Sequence, residues 1–270
     1  MSKIKFQRKF LAIPYGIFLI LFVIIPMVLI VVYAFSKTDP VTNKTSFSFE
    51  NLTTFFSNSY NLHTFIISLA IGLGNTLICL LIGYPIAYIL AKKEYKFSYI
   101  VVLLFIMPMW INFVLRTAAT RDLLFTLGLS GGDHPYISTM IGMVYNYLPF
   151  TILPLYTTML KMDRSLIEAS MDLGANKVQT FTKTIIPMTF PGIVSAASMV
   201  FMPTMSSYVI SDVMGERQIS LIGNIIQLYF DQGLWNLGSF VALILLTIIL
   251  VFMFVTRNIE KENNVRGGLW

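Results

Sequence analysis

Residues 161–190, Lys161 to Phe190, read KMDRSLIEASMDLGANKVQTFTKTIIPMTF. This polar, helix-forming island lies between two strongly apolar stretches of a chain that is otherwise mostly apolar. Its chemistry predicts two short helices outside a bilayer. Ser165 followed by Glu168 is a capping-box pattern, with Asp163 as a competing cap, and Gly174 is a natural helix stop. Asn176 and Gln179 repeat the cap, and Val178, Phe181 and Ile185 then fall on one apolar stripe. Pro187 and Pro191 are expected to end that helix and start the next segment. The product is an L-shaped helical pair suited to docking.

Composition says what surrounds the island. Of 270 residues, 56% are hydrophobic and 12% charged, and the mean hydropathy is +0.74. A soluble domain is about one quarter charged, so the chain is read as an integral membrane protein. Six uncharged stretches exceed the ~17 residues that a bilayer core requires. They cover residues 10–35, 64–91, 97–115, 135–160, 191–211 and 232–256. The first follows Lys3, Lys5, Arg8 and Lys9 but is longer than a signal-peptide core, with no A-x-A-like site after it, so it is read as a retained helix. The expected plan is a cytoplasmic N-terminus (1–9), one transmembrane domain (10–257) holding the loop 161–190, and a cytoplasmic tail (258–270).

Charge sets the orientation. With both termini inside, the cytoplasmic segments hold fourteen of the nineteen Lys and Arg residues, among them Lys92, Lys93 and Lys96, and the island falls on the same side. Acidic residues leave that side at +8 and the outer side at −2. The net charge of +6 therefore reflects membrane orientation rather than affinity for nucleic acid. The longest outer segment, residues 36–63, contains SFSFENLTTFF, which suits a short interfacial helix.

Catalytic signals are absent from the sequence. It has no G-x-x-x-x-G-K-[ST] loop, no H-E-x-x-H pair, two isolated histidines (His63 and His134) and one cysteine, Cys79, inside an apolar run. No cofactor, metal or enzymatic role is expected.

Glu168-Ala169-Ser170, Gly174 six residues after the glutamate, and Ile186-Pro187 beyond it resemble the EAA loop of ABC-importer permease subunits. The flanking text from Gly142 to Ile193, and YVISDVMGERQISLIGNIIQLYF downstream, are similar to the spermidine/putrescine (PotB-like) branch of that family. The likeness runs from about Leu69 onward. Two positions depart from the loop pattern: Ser170 replaces an alanine and Thr184 a residue that is usually isoleucine. The outer stretch LSGGDHPY, Leu129 to Tyr136, is shorter than is usual in the branch.

The resemblance implies an all-α, MetI-like importer permease with six transmembrane helices. It implies two ATP-binding subunits docked below, a second permease subunit (PotC-like), and an external binding protein (PotD-like) delivering a polyamine. Glu168, Ala169, Ser170, Asp172, Gly174 and Pro187 would form the ATPase-coupling site. The chain itself is expected to be no enzyme.

The residues suggest a second site. Phe201, Thr204, Tyr208, Ser211 and Asp212 share one face of the fifth stretch at helical spacing. A tyrosine ring beside a carboxylate suits an alkyl diammonium, which makes Thr204, Tyr208, Asp212 and Glu216 the pathway candidates. The bland reading puts Asp212 at the water interface and Tyr208 in the aromatic belt. Glu216 and Asp122 are the weaker candidates, the bland reading of each being a solvated loop residue, and Arg116 is expected to snorkel at the end of the third span. Other readings remain: a permease for thiamine, a ferric complex or another cation, a standalone cation carrier or channel, or a membrane scaffold.

Overall fold

The computed structural model describes residues 13–38, 45–92 and 97–267. Expectations resting on Lys3, Lys5, Arg8, Lys9, Asp39, Lys44, Lys93, Glu94 and Lys96 lie outside the described residues, as do the side chains from Ile259 onward. The chain divides into two compact units.

One unit comprises residues 1–62 and 225–246. Its first helix, α1 (Ile13–Ala34), is apolar and long enough to cross a membrane. Residues Ile20–Ile24 form a π turn in which the Ile25 amide donates to the Ile20 carbonyl, just ahead of Pro26. Proline lacks the amide and crowds the carbonyl four residues back, and the wider turn accommodates it without breaking the helix. Strands β1 (Ser36–Thr38) and β2 (Thr45–Phe47) then pair antiparallel, Ser36 opposite Phe47. The short helix expected in the outer segment follows as α2 (Glu50–Ser57); the hairpin before it was not anticipated.

Asn51 of α2 fixes the junction by donating to the carbonyls of Ala34 and Ser36, 2.9 Å each. Lys37 and Glu50 form an exposed ion pair at 2.6 Å. Phe35 and Phe55 both contact Phe240, so the unit is closed by an aromatic cluster rather than by charge.

The other unit comprises residues 63–224 and 247–270. Helix α3 (Ser59–Leu90) enters it at His63 and contains Pro85. The third expected span is broken. Helix α4 (Ser98–Ile106) tightens into a 3₁₀ turn at Met107–Trp110, and α5 (Phe113–Thr126) departs at 99°. Pro108 stands in the tight turn, and Asn112 restarts the chain as a cap, its Oδ1 accepting from the Val114 amide at 2.9 Å. Helix α6 (Pro135–Leu160) matches the fourth expected stretch.

Next come α7 (Ser165–Asp172) and α8 (Lys177–Ser206). Here the L-shaped pair is corrected: Pro187 and Pro191 do not end the second helix, which continues unbroken into the fifth span. A π turn at Phe181–Ile185, with the Ile186 amide donating to the Phe181 carbonyl, absorbs Pro187 as the equivalent turn absorbs Pro26. It also disrupts the predicted stripe: Ile185 is buried, while Val178 is 71% exposed.

The fifth span ends at Ser206, and Ser207 is extended, so its expected continuous face to Asp212 is interrupted before Tyr208. Helix α9 (Val209–Met214) carries Asp212 separately. Helices α10 (Ile222–Asp231) and α11 (Trp235–Gly267) complete the chain, the last starting three residues later than expected, after Gln232, Gly233 and Leu234.

Helices α6 and α8 pack along their length, with two apolar clusters in this unit. One joins Ala87, Val102, Leu155, Met159 and Ala196; the other joins Leu124, Met143, Ile210, Met214 and Leu221. Between them Asn75 donates to Thr204 at 2.7 Å, satisfying two buried polar groups in an otherwise apolar packing.

Arg116 corrects another expectation. It does not snorkel: it is 9% exposed, with Nη2 and Nε donating to Asn146 Oδ1 at 2.6 and 3.0 Å, and Nη1 donating to the Pro108 carbonyl at 2.6 Å. The guanidinium also stands 5.6 Å from the Tyr145 ring centroid. The same side chain thereby holds the tight turn, α5 and α6 together.

Candidate functional site

Helix α7 presents the first group of predicted residues. The Ser165–Glu168 capping box does not form, because Arg164 already has helical backbone angles and Ser165 is the first helical residue. The competing cap is the one realised: Asp163 Oδ1 accepts from the Ser165 amide at 2.9 Å. Hydrogen bonds from the Ser165 amide and side chain hold the Asp163 carboxyl below its ordinary range.

At the other end the Ala175 amide reaches the Ser170 carbonyl at 3.2 Å and the Gly174 amide the Met171 carbonyl at 2.9 Å. These two bonds define a Schellman stop, with Gly174 at φ +86°, a left-handed angle that glycine adopts without steric cost. Asn176 and Gln179 form the reciprocal cap predicted for α8, at 2.9 and 3.0 Å.

Glu168, Ala169 and Asp172 are exposed on α7 beside Leu166, Met171 and Leu173, the last 90% exposed. Acidic and apolar groups therefore share one short surface. Ser170 faces inward, within 3.3 Å of both Thr180 and Thr184, while Pro187 lies a helix away at the start of the α8 segment beyond the π turn. Glu168 also borders a cavity of about 260 Å³ with Tyr88, Lys92, Arg164 and Met159.

The second predicted group is only partly assembled. Tyr208, Asp212 and Glu216 line one cavity of about 430 Å³, but Thr204 is 1% exposed and engaged with Asn75. The lining also contains Arg121 and Arg217, so side chains of both signs border the cavity. Asn224 donates to Asp212 Oδ1 at 2.6 Å. Burial pushes the Asp212 carboxyl above its ordinary value, against the opposing pull of Arg217 and Asn224.

Glu216 and Arg217 have φ of 48° and 62°, an unusual pair of left-handed non-glycine residues. Their turn rests on the Gly131–Gly132 loop, where a Cβ on Gly131 would lie 2.2 Å from the Met214 carbonyl. Gln218 Nε2 donates to the Gly132 carbonyl at 2.9 Å. Asp122 is outside this group, paired with Arg121 at 2.7 Å. The arginines and Asn224 were missed because they lie off the single helical face used to choose candidates.

Apolar helices joined to one short, exposed, capped amphipathic helix make this a multi-pass membrane protein. The chain belongs to the family of binding-protein-dependent transport system inner membrane components, whose model matches residues 7–264. Family members are transmembrane components of the importer, with ATP hydrolysis carried by a separate subunit.

The chain is 35% identical over 264 residues to the spermidine/putrescine transport system permease protein PotB of Escherichia coli K12, covering 90% of this chain and 96% of that one. It is 34% identical over 277 residues to the protein of the same description from Haemophilus influenzae, covering 96% of each. Among solved structures, a bacterial ABC transporter that imports the acidic polysaccharide alginate superposes with a TM-score of 0.65 at 15% identity, covering 94% of each chain. The MetNI methionine ABC transporter, inward facing, superposes with a TM-score of 0.56 at 18% identity, covering 76% of this chain and 99% of that one. The fold is thus the MetI-like permease fold.

Proposed function

We propose that this chain forms half of the membrane pathway of a polyamine importer. In this reading a second, PotC-like permease subunit supplies the other half, and a PotD-like external protein delivers spermidine or putrescine. Two ATP-binding subunits dock on α7 from the cytoplasmic side. The observation that carries the reading is identity of 34–35% over at least 90% of the chain to two spermidine/putrescine permeases.

Four helices are long and apolar enough to cross a membrane among the described residues, and in this reading the bent α4–α5 pair is counted as one broken span, the fifth. Helix α6, with 26 residues and buried Ser138, Thr139, Asn146 and Thr151, supplies the sixth pass. Its polar groups are shielded by neighbouring helices, which explains its lower apolarity. Six passes put both termini on the side of α7, which the distribution of Lys and Arg makes cytoplasmic.

Glu168, Ala169, Ser170, Asp172, Gly174 and Pro187 are the coupling residues in this proposal. The first four lie on α7, Gly174 sets its turn, and Pro187 lies where the π turn gives way to the span. Tyr208, Asp212 and Glu216 line the solute pathway at the outer end, with Thr204 as part of the packing beneath. Transport of labelled spermidine by the assembled complex tests the cargo. Competition by spermidine and putrescine, and none by thiamine or ferric complexes, is expected; the reverse pattern overturns it.

One observation favours a different cargo. Arg217, and Arg121 with its partner Asp122, border the cavity beside Asp212 and Glu216, and a lining that carries both signs also suits a zwitterionic solute. Competition by such a solute in the same assay would support this second reading.

A further inference from the structure

The middle of α7 does not pack solidly on the helices above it. Between it and the ends of α3 and α6 lies the cavity of about 260 Å³, bordered by Tyr88, Met159, Ile167 and Met171. Across an open cleft the lining side chains lack contact partners, so little force passes there. The attachments of residues 164–181 to α3 instead lie at the two ends of that stretch. At one end Arg164 Nη2 donates to the Ala91 carbonyl, just past α3, at 3.2 Å. At the other, Phe181 stands edge-on to both Tyr84 and Tyr88, with centroids 5.8 Å away and interplanar angles of 88° and 77°.

Tyr84 and Tyr88 are one helical turn apart, so the two rings receive Phe181 from the same face of α3. Tyr84 is itself fixed, its hydroxyl 2.8 Å from Thr189 Oγ1, eight residues and about two turns beyond Phe181 along α8. Thr189 in turn donates to the Ile185 carbonyl of the π turn at 2.9 Å. Phe181 opens that π turn, so the irregular turn and the aromatic clamp occupy the same place.

We infer that Phe181, held between Tyr84 and Tyr88, is a positioning residue that transfers movement of the coupling helix to α3, in parallel with the covalent path through α8. The inference rests on the coupling role proposed for α7. The clamp makes α3 and the start of α8 move as one body. Without it, a push on α7 is taken up by the π turn and the cavity.

The test uses the complete complex of permeases and ATP-binding subunits in proteoliposomes, with Phe181→Leu, Phe181→Tyr and Tyr84→Phe. Phe181→Leu should leave co-purification of the ATP-binding subunits and basal hydrolysis unchanged, while solute moved per ATP hydrolysed falls about tenfold. Phe181→Tyr, which retains the edge contacts, should restore the ratio; Tyr84→Phe, which loses only the bond to Thr189, should fall between. Unchanged transport per ATP in Phe181→Leu, or no recovery in Phe181→Tyr, overturns the inference. Loss of ATP-binding subunits from Phe181→Leu also overturns it, by showing that the residue merely holds α7 folded. Failure of those subunits to associate with the unmodified permease would instead strike the coupling role itself.

Discussion

Thr184 Oγ1 donates to Ser170 Oγ across 3.3 Å, joining the two positions at which this chain departs from the loop pattern it otherwise follows. Ser170 also meets Thr180 at 3.3 Å. Alanine and isoleucine at these places would pack by apolar contact; here the same two elements are joined by hydroxyls. Ser170→Ala and Thr184→Ile should each lower the thermal stability of the purified complex, by about 1 kcal/mol, as expected for a lost hydrogen bond. The double substitution should recover most of the loss. Strict additivity in the double-mutant cycle would show that the pair is not coupled.

The exposed face of α7 makes a separate prediction. Glu168→Ala should leave permease abundance in the membrane unchanged, because the side chain is on the surface. Uptake should fall about tenfold through loss of interaction with the ATP-binding subunits. Wild-type uptake with coupled hydrolysis would remove Glu168 from the docking surface.

At Gly174 the cost is conformational. A Cβ there meets nothing within 4 Å, yet φ is +86°. Gly174→Ala should therefore destabilise the α7–α8 turn by about 1–2 kcal/mol without any steric clash. Hydrogen exchange of the Ala175 and Asn176 amides would report this; unchanged protection would mean that the turn tolerates a side chain.

Arg116 and Asn146 should respond unequally to truncation. Arg116→Met removes a charge and leaves neutral acceptors behind, whereas Asn146→Leu leaves a buried guanidinium short of partners. The second loss should be larger, about 3 kcal/mol against 1–2 kcal/mol, read as the thermal midpoints of the purified complex. Equal midpoints would place the guanidinium in water.

Asp212 carries a pH dependence whose sign follows from its raised pKa. Its carboxylate is charged above that pKa, so a cation is held best there and is released as pH falls through it. Cation uptake should consequently decline at a higher pH than ordinary aspartate titration would give. Asp212→Asn should show lower uptake and no such decline. An identical acid limb in wild type and Asp212→Asn excludes the residue from solute capture.

Much of the fold was legible because it depends on composition and spacing. Long uncharged runs placed the helices, and Gly174 and the Asn176–Gln179 pair marked real boundaries because their chemistry is local. The misreadings share a cause. Pro187 and Pro108 both signal a break, yet a π turn absorbs the first while the second coincides with a 99° bend. The choice depends on what packs around each proline, which a linear pattern does not contain. Arg116 was misplaced for the same reason: its partners are thirty residues away at Asn146 and on a backbone carbonyl.

The pathway group shows the limit of helical-face reasoning. Thr204 and Asp212 share a face only if the helix continues through Ser207, and the extended backbone there separates them. Tyr208 and Asp212 remain one turn apart, with the Asp212 amide bonded to the Tyr208 carbonyl at 3.0 Å. Arg217 follows Glu216 in the turn after α9, off the helical face, whereas Arg121 belongs to α5 and enters the cavity only through the tertiary fold.

The π turn at Phe181–Ile185 also acts as a phase offset. An ordinary helix advances about 100° per residue, so one extra residue in a turn rotates everything before it by roughly that angle relative to everything after it. Deleting a single residue here would keep the helix intact yet swing Asn176 to Thr180 through more than a quarter of a circle. The spacing between Gly174 and Pro187 is therefore an angular setting as much as a length. A chain that preserved every residue type in the loop but lost that one position would present the exposed face of α7 in a different direction.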